Sequence, residues 1–228
     1  MWRIALLLSG VLFLAGCTTS QQASQAAHVG SVVGAARILL IEPDIKFYVL
    51  TAGGVSEPQP DWTEAARRNF VSAAQTQLRA HGHSLVAMDP NVADETISQY
   101  EKLHESVAGT ILQNYFGFAK LPSKQGVFDY SVGPGVSVLR DRYGADYALF
   151  VFYRDYRSSG GRMAFAFLAA AVGGIVGTGN QFGFASLVDL TSGDIVWCRE
   201  VDIGTGDLRD QGGANQTASV LFEGMPGG

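Results

Sequence analysis

Two cysteines, four histidines and a charged fraction of 16 % are small counts for a chain of 228 residues, against about 25 % charged residues in an average soluble domain. So little charge beside 47 % hydrophobic residues excludes a disordered polyelectrolyte and implies a buried core. Sixteen Lys and Arg against twenty-one Asp and Glu give a formal net charge of -5. No basic cluster stands out that could neutralise a row of phosphates, which argues against a nucleic-acid partner. No apolar run reaches the roughly 18 residues of a spanning-helix candidate. The four histidines, His28, His81, His83 and His104, show no H-E-x-x-H spacing, and no G-x-S-x-G elbow is present. Gly173, Gly174, Gly177 and Gly179 invite comparison with a phosphate loop, yet Gly179 is followed by Asn180 and Gln181 rather than Lys and Ser/Thr. The expectation is a protein that is not an enzyme and carries no cofactor, nucleotide or metal. Glycine, by contrast, is abundant at 28 residues without a three-residue period, which points to turns and close backbone contacts rather than collagen.

The amino-terminal segment fixes the expected compartment. Arg3 precedes the apolar run Ile4 to Leu14, which is too short to span a bilayer and reads as a secretory signal. Leu14-Ala15-Gly16-Cys17 resembles the bacterial lipobox, in which the cysteine thiol receives diacylglycerol and the chain is cut just before it. The resemblance implies a signal peptide at 1–16, lipidation at Cys17 and, because Thr18 rather than aspartate follows, an outer-membrane address facing the periplasm. Two or more acyl chains anchor stably where one does not. Loss of Arg3 would make the mature chain one unit more negative, so charge would not draw it to anionic lipid. The polar stretch that follows is expected to be a flexible tether over 17–36. With Cys17 acylated, only Cys198 remains, so no intramolecular disulfide is expected. Cys198, between Trp197 and Arg199 in a strand, reads as a small buried hydrophobe.

The rest, 37–228, reads as one α/β domain with a mixed sheet of about five or six strands flanked by helices. Ile38 to Ile41 and Phe47 to Leu50 predict two strands, or one strand interrupted at Pro43. Asp61 and Glu64 imitate a capping box, and Trp62, Ala66, Phe70, Ala74 and Leu78 mark a helix face ending at Gly82. A short strand is expected over His83 to Asp89. A long helix follows from Asp94, with Ile97, Tyr100, Leu103, Val107, Ala108, Ile111, Leu112 and Tyr115 on one face and Gly117 as its stop. Val136 to Tyr143 predicts a short helix. Tyr147 to Tyr153 is apolar on both faces and predicts a central strand. Phe182 to Leu190 and Asp194 to Ile203 flank Thr191-Ser192-Gly193 as a hairpin, and Ala214 to Glu223 closes the chain as a helix.

Two features invite a functional reading. No charged residue lies between Arg162 and Asp189, and within this insert, 160–181, the apolar stretch carries Phe165, Phe167, Leu168, Val172 and Ile175. It is either a hairpin extension that meets membrane or a sister subunit, or a core helix and loop crossing the sheet. At the end of the central strand, Tyr153, Arg154, Asp155, Tyr156 and Arg157 form a candidate partner or ligand patch, or solvated charges that pair locally. His81 and His83 read as a surface pair for want of a third metal ligand.

The opening strand Arg37-Ile38-Leu39-Leu40, the run Ala145 to Phe150 and the segment Ser186 to Trp197 together resemble, across about Arg37 to Glu223, the periplasmic α/β domain of curli-secretion lipoproteins and the amino-terminal domain of TolB. The resemblance implies envelope scaffolding, secretion-channel assembly or activation of a partner enzyme, with no catalytic residue. The expectation is a non-catalytic interaction and assembly lipoprotein, bound to lipid through Cys17 and to another envelope protein or itself. The alternatives are a secretion or pore subunit that inserts residues 163–179, and a small-ligand binder or enzyme using Tyr153 to Arg157 with His81 or His83.

Overall fold

The structure, a computed structural model, describes residues 19–24, 35–88, 95–202 and 206–227. The signal segment and Cys17 lie outside the described residues. In chain order the elements are β1 (Thr19–Ser24), β2 (Arg37–Leu40), β3 (Asp44–Leu50), β4 (Ser56–Pro58), α1 (Pro60–Ala80), β5 (Ser84–Ala87) and α2 (Glu95–Thr110). Then come a π-helical turn at Ile111–Phe116, a 3-10 turn at Pro134–Val136, α3 (Ser137–Tyr143), β6 (Tyr147–Ser158), α4 (Gly160–Ala171), β7 (Gly179–Asp189), β8 (Ile195–Asp202) and α5 (Gln211–Leu221).

The fold is α/β, with a mixed sheet of eight strands ordered β1-β8-β7-β6-β2-β5, and with β3 also pairing β6 and carrying β4 on its outer edge. The strand apolar on both faces, β6, is the spine. Its first part pairs in parallel with β2 from Ile38 opposite Tyr147, and its second part pairs in parallel with β3 from Asp44 opposite Phe152. Pro43 separates the two short strands, because a proline there has no N–H to give the ladder. The partner on the other side is β7, antiparallel over eleven residue pairs, and β8 follows through the Thr191-Ser192-Gly193 turn. That turn is closed by the Asp189 carboxylate, which accepts from the Thr191 N–H at 2.6 Å. Gly193 sits there at φ 83, and a Cβ would lie 2.1 Å from the Gly133 carbonyl oxygen. Only glycine fits that approach.

Both faces of the sheet are covered. On one, Ile38, Phe47, Leu149, Tyr153, Leu187 and Trp197 pack beneath α1 and α5. The α1 stripe of Ala66, Phe70, Ala73, Ala74 and Leu78 is buried, and Phe70 meets Phe222 edge to face at 6.0 Å. Gly183 in β7 brings α5 close, since a Cβ there would stand 3.0 Å from Leu221 Cδ2. On the other face, Leu39, Ile41, Phe150, Phe184 and Cys198 pack beneath α2 and the residues around Phe128, Tyr130 and Leu139.

Several expectations need correction. The sheet has eight strands because two lie in segments without an apolar pattern, the Gln-rich β1 and the Ser-Glu-Pro β4. Within the expected tether, Thr19–Ser24 is β1, an edge strand antiparallel to β8 with Thr19 opposite Asp202. Only Ala23 of β1 is a buried hydrophobe, so its place rests on backbone pairing and on Arg199. That side chain donates to Ser20 Oγ at 3.0 Å, to Gln22 Oε1 at 3.2 Å and to Glu223 Oε2 at 2.5 Å. Helix α1 starts at Pro60, one residue before Asp61, with no side-chain cap. On α2 the stripe turns by one residue, with Ile97, His104 and Ala108 buried and Leu103 exposed. The insert 160–181 is not a core helix crossing the sheet: helix α4 and a loop join the antiparallel strands β6 and β7 at their shared end, and none of the helix's twelve residues is buried.

Candidate functional site

The alternation of β6 divides the residues Tyr153 to Arg157 between two faces, so they do not form one patch. Tyr153 is fully buried under α1 and α5, tilted against Phe47 at 6.3 Å. Asp155, on the same face, is also buried and receives Arg157 at 2.8 and 3.0 Å and Gln181 at 2.9 Å. Arg157 also reaches Asp207 at 3.4 Å. Burial alone would lower the Arg157 pKa, but the Asp155 and Asp207 carboxylates hold it above its ordinary value. Arg154 points to the opposite face, over the Phe152 ring at 3.9 Å, and bonds Asp44 at 2.5 Å. Tyr156 stacks on Tyr48 at 4.9 Å. The charges pair locally.

The histidines proposed to join this strand end lie at the other end of the sheet. His83 is buried rather than on the surface. Its Nδ1 accepts from the Ala36 N–H at 3.3 Å, and its Nε2 lies 2.8 Å from the Pro226 carbonyl. His81 instead turns to Gln77 O at 2.9 Å. Ser84 is level with Arg37, and Ile38 with Tyr147, so ten residues of strand, roughly 33 Å, separate this end from Arg157. Tyr153 to Arg157 and His81 or His83 therefore share no pocket.

A half-open cavity of about 560 Å³ lies instead between α2 and the sheet, floored by Ile41, Phe150, Phe152 and Phe184 and rimmed by Glu42 and Glu101. Among its lining residues is the buried His104, stacked on Phe150 at 4.0 Å, with Nε2 2.6 Å from Ser186 Oγ. Burial pushes the His104 imidazole down to about 3, so it is a weak proton acceptor near neutrality, where a general base has its pKa near the working pH. Glu101 is raised, by burial first and then by Glu42 and Asp44 nearby. Burial also pulls on Asp44, yet Arg154 and Lys46 keep its carboxyl below the usual range. Among the described residues no group of three His, Cys, Asp or Glu is placed to hold a metal ion. The His104 contact was missed in the sequence, although the spacing Ile97, His104, Ala108, Ile111 puts the histidine on the apolar stripe.

The most distinctive surface is α4 with its following loop. Ser159 caps the helix by accepting from the Arg162 N–H at 3.2 Å. Arg162 Nε folds back onto Gly177 O at 2.8 Å, and Ser158 Oγ donates to Thr178 O at 2.7 Å, so the loop is tied to the base of the helix. Beyond that base Met163, Phe165, Phe167, Leu168, Val172 and Ile175 all face outward, Phe167 being 78 % and Ile175 99 % exposed. At twelve residues the helix is about 18 Å long, short of a roughly 30 Å hydrocarbon core. Among the described residues no helix is long and apolar enough to cross a membrane.

No family model matches the chain. No curated protein matches it either. Among solved structures it is similar to the PelC dodecamer from Paraburkholderia phytofirmans, at 15 % identity and a TM-score of 0.46, over 93 % of this chain and 99 % of that one. It is similar also to lipoprotein GNA1162 from Neisseria meningitidis, at 15 % identity and a TM-score of 0.35, over 74 % of this chain and 81 % of that one. At these values the likeness bears on neither activity nor partner.

Proposed function

We propose that the protein is a lipid-anchored bacterial envelope protein, held by an acylated Cys17 at the outer membrane and facing the periplasm, whose work is binding and assembly rather than catalysis. The observation that carries the reading is the short distance in sequence between the lipobox cysteine and the fold: β1 begins at Thr19 and is hydrogen-bonded into the sheet. Two residues of chain reach at most about 7 Å. Acylation would therefore hold the sheet itself at the bilayer, in place of a domain on a long leash. The non-catalytic part of the reading is supported by the cavity's histidine, which burial makes a weak proton acceptor and which is already engaged with Ser186 Oγ. The partner is another envelope protein or a second copy, met by surface that the lipid leaves free.

The test is the mass of the amino-terminal peptide and the sedimentation of the full chain expressed in a bacterium. The reading expects cleavage before Cys17, diacylglycerol and acyl mass on that residue, and recovery with outer-membrane fractions. Cys17→Ser should abolish all three. An unmodified Cys17, or acylated protein recovered with the inner membrane, would overturn the anchor or its address.

A further inference from the structure

Sheet register places the start of β1 at the same end of the molecule as the exposed apolar helix. Thr19 is level with Asp202, Asp202 with Phe182, and Phe182 with Arg154. From that level β6 and β7 run three more pairs, to Arg157 opposite Gly179, a further 10 Å or so, and α4 joins these two strands. β1 runs parallel to β7, because each is antiparallel to β8. The chain therefore enters β1 from the side on which α4 stands. The turn between β3 and β4 is at this end as well: the Ser159 N–H donates to Leu50 O at 2.9 Å, Ala52 Cβ would lie 3.5 Å from a Cβ at Gly161, and Val55 is exposed.

From this co-location we infer that α4 and the Val172 to Ile175 turn lie in the acyl boundary of the same leaflet that holds the Cys17 lipid, as an interfacial helix that does not span. This inference rests on the lipid-anchor reading. Phe165 and Leu168, three residues apart, share one side of the helix, and Val172 at its C-cap and Ile175 in the turn beyond are exposed at the same end. Water exposure of such a patch on a free monomer is unfavourable at about 25 cal/mol per Å², and an occupant that covers it recovers that energy. A bilayer is the occupant to which the adjacent acyl chains would already bring it. Uncharged from Met163 to Val188, the segment meets no charge penalty on entering the boundary, and Arg162, in the first turn of α4, is folded back onto the loop. An anchor and a helix in the same leaflet make a two-point attachment that fixes tilt as well as distance. The Thr191 to Gly193 turn, at the opposite end of the sheet, would then point into the periplasm.

The experiment uses the processed full chain, extracted from bacterial membranes and reconstituted in phosphatidylethanolamine and phosphatidylglycerol vesicles with brominated acyl chains. Phe165→Trp introduces a reporter at an exposed position on that side of the helix. The expected result is loss of most of the introduced emission against vesicles without bromine, after subtraction of the parental Trp62 and Trp197 signal. An introduced tryptophan that bromine leaves bright and iodide quenches would overturn the inference. So would one shielded from both quenchers, with Val172→Cys cross-linking to a second copy, because the occupant would then be the protein itself. The mass of the amino-terminal peptide is read on the same sample. Quenching without acyl mass would overturn the anchor reading and leave the helix contact standing, whereas acyl mass without quenching would do the reverse.

Discussion

His104 Nε2 lies 2.6 Å from Ser186 Oγ, joining α2 to β7 across 82 residues of sequence, and the imidazole is stacked flat on Phe150. Burial lowers this histidine from 6.5 to about 3, which makes the contact dependent on pH. The unfolded chain takes up a proton below 6.5 and the native one does not until about 3, so the native state loses ground as pH falls through that window. At pH 5 the loss is about 2 kcal/mol, from 1.36 kcal/mol for each unit of separation. Urea titrations at pH 7 and pH 5 should show it in the wild type. The slope should be flatter in His104→Gln, whose amide can still hydrogen-bond the Ser186 hydroxyl. Equal slopes in the two proteins would place the pH dependence elsewhere.

The helix pattern of α2 shows what was legible in the sequence and what was not. Spacing located the helix, since an apolar stripe of 3.6-residue period is a property of the chain itself, but α2 ends at Thr110 and a π-helical turn carries the chain on to Gly117. The same spacing put Leu103 on the stripe where the structure buries His104, because hydrophobicity alone ranks leucine above histidine. The hydroxyl that satisfies His104 comes from a strand 82 residues away, and no local window contains it. β6 and the β7 to β8 hairpin were legible from two-sided apolarity and a glycine turn. β1 was not, because an edge strand held by backbone pairing and one arginine needs no apolar alternation. Tyr153 to Arg157 fall in the second half of β6, but side chains alternate across a sheet, and that separates Arg154 from Asp155 and Arg157. The apolar insert stood out in composition; only tertiary structure shows that it lies outside the core.

The edge strand makes its own prediction. Arg199 is nearly buried and holds Ser20, Gln22 and Glu223 together. Glu223 is exposed, so solvent weakens the ion pair, and Arg199→Ala should cost about 1–2 kcal/mol, mainly through the lost hydrogen bonds and packing. Hydrogen exchange should show the β1 amides that face β8 protected in the wild type and several-fold faster in the variant. Amides at 19–24 that exchange at coil rates in the wild type would mean that the segment is a tether after all.

A second structural prediction concerns the close approach of α5. A Cβ at Gly183 would stand 3.0 Å from Leu221 Cδ2 and 3.2 Å from Tyr153 Cδ2, and both of those side chains are fully buried. Gly183→Ala should therefore destabilise by about 1–3 kcal/mol, the usual range for an overpacked core, read as a lower urea midpoint. If the midpoint stays or rises, the helix has room that the geometry does not show, and strand propensity decides the sign.

The two cysteines turn the anchor into a counting experiment. Cys198 is buried, and burial raises its thiol well above the ordinary value, so the thiolate that reacts with a disulfide reagent is scarce in the native protein. Cys17, if acylated, carries a thioether and cannot react in any state. The processed protein should then titrate no thiol when native and one when denatured, with Cys198→Ala removing that one. Two thiols in denaturant, one of them reactive before unfolding, would mean an unmodified Cys17. The bilayer attachment would then rest on α4 alone, a twelve-residue helix. Because the native and denatured counts come from one sample, a partly acylated preparation would show a fractional native count matched by the same excess in denaturant.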